Sequence, residues 1–165
     1  MRRARGFTLV ELMVVLVIVS IVSVGAVVLI GPGLADVERA EARRFTALYD
    51  LAYEEAQLQG STRAIAVGRR GYAFFRRQSN GGWEALEDEV FLSRSLDEEY
   101  RLALLIDGID VELLDELPET PQLWLSPGGA TRPFVLLLKR ADTGEEVRRF
   151  EVDALGRRSW RLARG

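Results

Sequence analysis

Gly6-Phe7-Thr8-Leu9-Val10-Glu11 opens an apolar run that continues to Ile30. Arg2, Arg3 and Arg5 precede it, and Glu11 is the only charged residue between Phe7 and Ile30. An α-helix needs ~20 apolar residues to cross the hydrocarbon core of a bilayer, and this run supplies them. Leu9, Leu12, Val14 to Val19, Ile21, Val22 and Val27 to Ile30 place apolar side chains on every helical face. A helix apolar all round belongs in lipid or in the core of an assembly. The arginines predict a cytoplasmic N-terminus, with the rest of the chain on the far side of the membrane.

Glu11 demands a reason. A carboxylate within a spanning helix costs roughly 2.5–3.5 kcal/mol on insertion scales. A position near the headgroups, four residues after Phe7, would lower that cost by partial solvation. The order of residues offers a more specific account. Glycine, then Phe-Thr-Leu-Val-Glu, then a long apolar run resembles the class III signal of type IV pilins and pseudopilins. The resemblance implies cleavage between Gly6 and Phe7 by a prepilin peptidase, and N-methylation of Phe7. Glu11 would then neutralise the terminal amine of a neighbouring subunit, a pairing far stronger in low dielectric than in water. An ordinary secretory signal has a shorter apolar core, although Ser23-Val24-Gly25-Ala26 imitates its cleavage site. A plain signal anchor accounts for the arginines but not for Glu11 or the Gly6-Phe7 junction.

The 165 residues leave room for one domain beyond that helix. Cysteine and histidine are absent. Disulfides, thiol catalysis and thiolate metal sites are therefore excluded, together with the commonest general base and metal ligand. Removing a leader that carries Arg2, Arg3 and Arg5 leaves a charge three units below the −3 of the whole chain. That acidic balance argues against a general nucleic-acid binder.

Gly31-Pro32-Gly33 predicts a break after the apolar run. From Leu34 to Gln59 the pattern turns amphipathic. Leu34, Val37, Ala40, Phe45, Leu48, Leu51, Ala52 and Ala56 form one face, and Glu38, Arg39, Glu41, Arg43, Arg44, Asp50 and Glu54 are assigned to the water side. Gly60 stands where a left-handed cap ends a helix. Beyond it the period shortens to two. Arg63 to Val67 and Tyr72 to Arg77 predict a hairpin, followed by short strands at Trp83 to Leu86, Tyr100 to Ile106, Ile109 to Leu114 and Gln122 to Leu125. Pro118 to Pro121 reads as a linker. Phe134 to Lys139, Val147 to Val152 and Arg158 to Leu162 form the clearest β region. The expected class is α+β: a long N-terminal helix, its first half transmembrane and its second amphipathic, packed on antiparallel sheet.

Further segments resemble the minor pseudopilin H family of type II secretion. They are Glu41-Ala42-Arg43-Arg44, Ala52-Tyr53-Glu54-Glu55-Ala56, Gly71-Tyr72-Ala73-Phe74, Trp83-Glu84-Ala85-Leu86, Leu123-Trp124-Leu125-Ser126-Pro127-Gly128-Gly129 with Pro133-Phe134, and Asp153 with Gly156. The resemblance implies a pilin-like fold and a structural, non-enzymatic subunit without cofactor. It divides the chain into a leader (1–6), a filament-core helix (7–30), the second half of the long helix (31–60) and a periplasmic β-rich domain (61–165). The implied partners are other pseudopilins, the prepilin peptidase and the inner-membrane assembly platform. The implied location is the inner membrane, with the domain in the periplasm. The alternative is a minor pilin of a type IV pilus, serving twitching or DNA uptake.

Other features read as ordinary structure. Gly81-Gly82 and Gly128-Gly129 do not open a helix after a strand as phosphate loops do. Glu87-Asp88-Glu89 and Asp97-Glu98-Glu99 lack the spacing of a calcium loop. Asp107 and Asp110 flank Gly108 as turn residues. Arg69, Arg70, Arg76 and Arg77 form the cluster a phosphate backbone would meet in a DNA-binding relative, but ordinary exposed hairpin charge is the default account of them. Trp83, Trp124 and Trp160 are expected in the core or at a subunit contact.

Overall fold

The computed structural model describes residues 9–29 and 34–162. The expected leader, the Gly6-Phe7 junction and the Gly31-Pro32-Gly33 break lie outside these residues. The chain divides into two units, residues 1–37 and 38–165. The first contains α1 (Leu9–Leu29), whose sequence between Glu11 and Leu29 carries no other charge.

The second unit is built around α2 (Leu34–Gln59), of which all but the first turn belongs to it. Phe45, Leu48, Tyr49, Ala52 and Ala56 recur at three- and four-residue steps, and all are buried. Gly60 ends the helix with φ +61°, in the left-handed region that spares a glycine the Cβ clash.

Among the described residues ten strands follow, in two antiparallel sheets of five. In the first, β3 (Trp83–Ala85), β2 (Gly71–Arg77), β1 (Arg63–Gly68) and β7 (Leu123–Leu125) lie in that order, and β4 (Arg94–Ser95) also pairs with β2. In the second the order is β10 (Arg158–Leu162), β9 (Glu146–Val152), β8 (Phe134–Arg140), β5 (Tyr100–Ile106) and β6 (Ile109–Val111). Strand β5 alternates strictly, with Tyr100, Leu102, Leu104 and Ile106 buried and their neighbours half-buried. That is the pattern of a strand with one face on a core. Strand β1 is buried at every residue, as befits a central strand covered on both faces.

Aromatic rings join α2 to both sheets. Phe45 meets Tyr72 of β2 edge-on at 5.0 Å and Phe150 of β9 at 5.1 Å. Tyr49 meets Phe150 at 5.3 Å. Edge-to-face pairs of this kind contribute about 0.5–1.5 kcal/mol beyond the area they bury.

The strands depart from expectation in three places. Strand β4 has no alternation to announce it. It forms because Gly71 and Tyr72 pair with Ser95 and Arg94. Strand β6 stops at Val111 instead of Leu114, because the chain turns away to meet the first hairpin: Arg69 N donates to Leu114 O at 2.6 Å. Leu102 N and Leu96 N donate to Arg69 O and Arg70 O, so the hairpin tip is laced into its surroundings. The expected linker contributes Pro121 to the core. Beyond it the side chain of Gln122 extends the β1–β7 ladder, its Oε1 accepting from Val67 N and its Nε2 donating to Val67 O, both at 2.9 Å.

Candidate assembly interface

Every side chain of α1 described, from residue 9 to residue 20, is exposed. Leu9 is 78% exposed and Leu16 58%. Leaving a leucine or valine in water forgoes about 1.5–3 kcal/mol of burial each, so a surface of this kind exists to be covered. Its one hydroxyl in that range is satisfied within the helix, since Ser20 Oγ donates to Leu16 O at 2.7 Å. The helix can therefore be enclosed by apolar groups without stranding that donor. Glu11 lies in the first turn, where the helix dipole favours a negative charge. Among the described residues no helix is long and apolar enough to cross a membrane. In α1 the described side chains end at Ser20, short of the ~20 apolar residues of a span.

In the second unit, three ionic clusters fasten α2 to the strands. Glu38, expected on the water side, is instead buried at 7% exposure. Its Oε1 accepts from Arg140 Nη2 at 3.2 Å, and its Oε2 lies 3.9 Å from Arg148 Nη2. Glu41, placed on the same side, accepts from Tyr72 Oη at 2.9 Å and from Arg94 Nε at 3.1 Å. Burial first, and then the Glu41 charge, hold the Tyr72 phenol well above the ordinary range for tyrosine. Arg63, buried at the start of β1, donates to Gln59 Oε1 at 2.7 Å and stands 3.0 Å from Glu55 Oε2. Buried charges are retained only where partners repay their desolvation, and each of these has one.

The sequence did carry a signal for two of them. Positions 38, 41, 45, 48 and 52 continue one three- and four-residue progression, so Glu38 and Glu41 stand on the stripe that Phe45 and Leu48 bury. Residue type had assigned them to water. Spacing assigns them to the core face, with strand arginines as partners. Asp50 from the same set is only half-buried and pairs with Arg158 at 2.5 Å.

The arginine cluster of the first hairpin is engaged within the chain. Arg69 meets Asp115 at 3.0 Å and Arg70 lies 3.8 Å from Glu98. Arg76 donates to Glu84 at 2.7 Å and holds its carboxyl below the usual range. Arg77 lies over the Trp83 ring at 4.7 Å. Asp107 adopts φ 54° in its turn and pairs with Arg132.

The tryptophans separate into two settings. Trp83 and Trp124 form a ring pair at 5.6 Å outside the core, and Trp124 is 52% exposed. Trp160 of β10 packs on Phe150 at 5.0 Å and donates its Nε1–H to Thr46 Oγ1 of α2. Beside it, α2 and β9–β10 border a groove of about 660 Å³, lined by Arg39, Ala42, Arg43, Thr46, Ala47, Asp50, Arg148, Trp160 and Arg161.

Comparison with known proteins agrees with this arrangement. Residues 1–27 match the pattern of the prokaryotic N-terminal methylation motif. The chain is 30% identical to type II secretion system protein H of Aeromonas hydrophila over 172 aligned positions, covering 95% of this chain and 94% of that protein. It is 32% identical to the protein of the same name from Pseudomonas aeruginosa, covering 94% of each. Among solved structures, the minor pseudopilin EpsH from the type 2 secretion system of Vibrio cholerae superposes with a TM-score of 0.66 at 24% identity. The match covers 78% of this chain and 96% of that one. The shared fold is pilin-like α+β.

Proposed function

This chain belongs to the family of type II secretion system protein H, and on that premise we propose that it works as a minor pseudopilin. It joins other pseudopilins in a short periplasmic filament that supports protein export across the outer membrane. Residues 1–6 form the leader, cut between Gly6 and Phe7 by a prepilin peptidase, which also methylates Phe7. Residues 7–30 hold the subunit in the inner membrane before assembly and pack in the filament core afterwards. Residues 31–60 continue the helix, and 61–165 form the β-rich outer domain. The role is structural.

One observation carries this reading: an apolar helix whose described side chains are all exposed follows a glycine-phenylalanine junction and begins with one carboxylate. Exchanging lipid for neighbouring helices changes little in hydrophobic energy, so packing and polar pairing must select the register. Glu11 supplies that selection by pairing with the Phe7 amine of an adjacent subunit. In a membrane-like surround, a charge left without such a partner costs several kcal/mol.

The test is Glu11→Ala. Leader removal should proceed as in the native chain, while recovery of the variant in sheared filaments should fall at least about tenfold. Unchanged recovery would remove the register role from Glu11.

A further inference from the structure

From the α2–β10 groove we infer that it receives the 87–92 loop of a second copy of this chain, in a head-to-tail contact. This rests on the reading of the chain as a filament subunit. Ala42, Ala47 and Trp160 give the groove apolar walls, and Arg43, Arg148 and Arg161 give it charge. Four arginines line it against one aspartate; that aspartate, Asp50, is already paired with Arg158 at 2.5 Å, and Arg161 stands 3.7 Å from Glu151. Arg43 makes no ion pair among the described residues. Arg148 is buried, reaches Glu38 only at 3.9 Å, and keeps an Nε without a hydrogen-bond partner. The groove therefore suits a ligand that brings carboxylates beside aliphatic side chains.

The chain carries such a ligand elsewhere on its surface. Asp88 Oδ1 accepts from the N–H groups of Val90 at 3.0 Å and Phe91 at 2.9 Å, and Phe91 is buried against Phe74 with ring centroids 5.2 Å apart. Pinned in this way, the loop holds Val90 at 49% and Leu92 at 52% exposure, with Glu87 and Glu89 exposed beside them. A tip already ordered in the free subunit saves the entropy of ordering it on contact. No residue of this loop lines the groove, so the contact joins two different surfaces. Contacts of that type build open helical arrays when the rotation between copies does not close.

The native chain has no cysteine, so disulfide trapping reports only engineered positions. The full chain carrying Ala47→Cys and Val90→Cys would be expressed with its filament partners and mildly oxidised in the membrane. The expected result is a covalent dimer from the double variant that neither single variant gives. Adding Arg43→Glu should lower its yield about tenfold, and adding Glu89→Arg as well should restore it. A chain that enters filaments yet gives no such dimer overturns the inference and leaves the filament reading standing. Equal dimer from Ala47→Cys alone also overturns it, because that signals random collision. A native chain that never enters filaments overturns both.

Discussion

Glu38 shows how a single side chain can oppose its own type. Its carboxylate is buried between the guanidinium groups of Arg140 and Arg148, which come from β8 and β9, more than a hundred positions along the chain. Removing it leaves two arginines without their shared partner in a poorly solvated site. Glu38→Ala is expected to cost about 3 kcal/mol, within the range for breaking buried pairs. Urea unfolding of the detergent-solubilised chain, followed by tryptophan fluorescence, measures this directly, because all three tryptophans lie in the second unit. A loss below about 1 kcal/mol would mean that the cluster is effectively solvated. Charge alone places Glu38 and Glu41 in water, whereas their spacing puts them on the stripe that Phe45 and Leu48 bury. Arg63 gave no comparable warning, since an arginine at the start of a strand is ordinarily exposed.

The buried tyrosines set a second expectation at this scale. Burial, with Tyr53 next, pushes the Tyr49 phenol up to about 12. A folded-state value raised above the unfolded one, near 10 for tyrosine, means the native state holds its proton longer. Its contribution to stability is complete below about pH 10 and is lost as pH rises toward about 12. Absorbance titration of the phenolate should show late-ionising tyrosines, with stability falling across the same window. Ionisation of every tyrosine near pH 10 with the fold intact would contradict the placement of Tyr49.

Among the elements, α2 was the most legible. Its apolar period and the glycine after it marked the end that the structure has at Gln59. The β1–β2 hairpin and the β8–β9–β10 meander were equally readable, because each consists of short runs of β-forming residues punctuated by glycine turns. Strand β4 was not readable. Its two residues owe their strand geometry to a neighbour, and a sequence window contains no such neighbour. That neighbour is Gly71, where an added Cβ would lie 2.0 Å from the Arg94 carbonyl oxygen, closer than any real contact. Gly71→Ala must therefore push β4 away, and with it the Arg94 that pairs with Glu41. A cost of at least about 2 kcal/mol is expected, as for overpacked cores. Amide exchange at Leu96, whose N–H donates to Arg70 O, should accelerate in the same variant. Unchanged protection there would show that β4 does not depend on the approach at Gly71.

At the scale of the molecule, the two units meet opposite requirements. Residues 38–165 bury their own core of aromatic and aliphatic side chains and close most of their charges among themselves. The described side chains of α1, residues 9–20, stay exposed, a surface that on the proposed reading lipid or other subunits cover. The first requirement is met by physics local to the chain, which is why the fold could be read from periodicity. The second is met only in company. The family was legible because Gly6, Phe7 and Glu11 stand in the order of the N-terminal methylation motif, and not because any pocket or catalytic cluster announced it. The groove between α2 and β10 left no trace in sequence, since its residues come from positions 39 to 161 with no common motif.

The central claim is that this chain is a processed filament subunit. Intact mass and N-terminal sequencing, after co-expression with a prepilin peptidase, test it most directly. The account predicts a mature chain that begins at Phe7 and is heavier by one methyl group. A chain still beginning at Met1, or cut near Ala26, would contradict it.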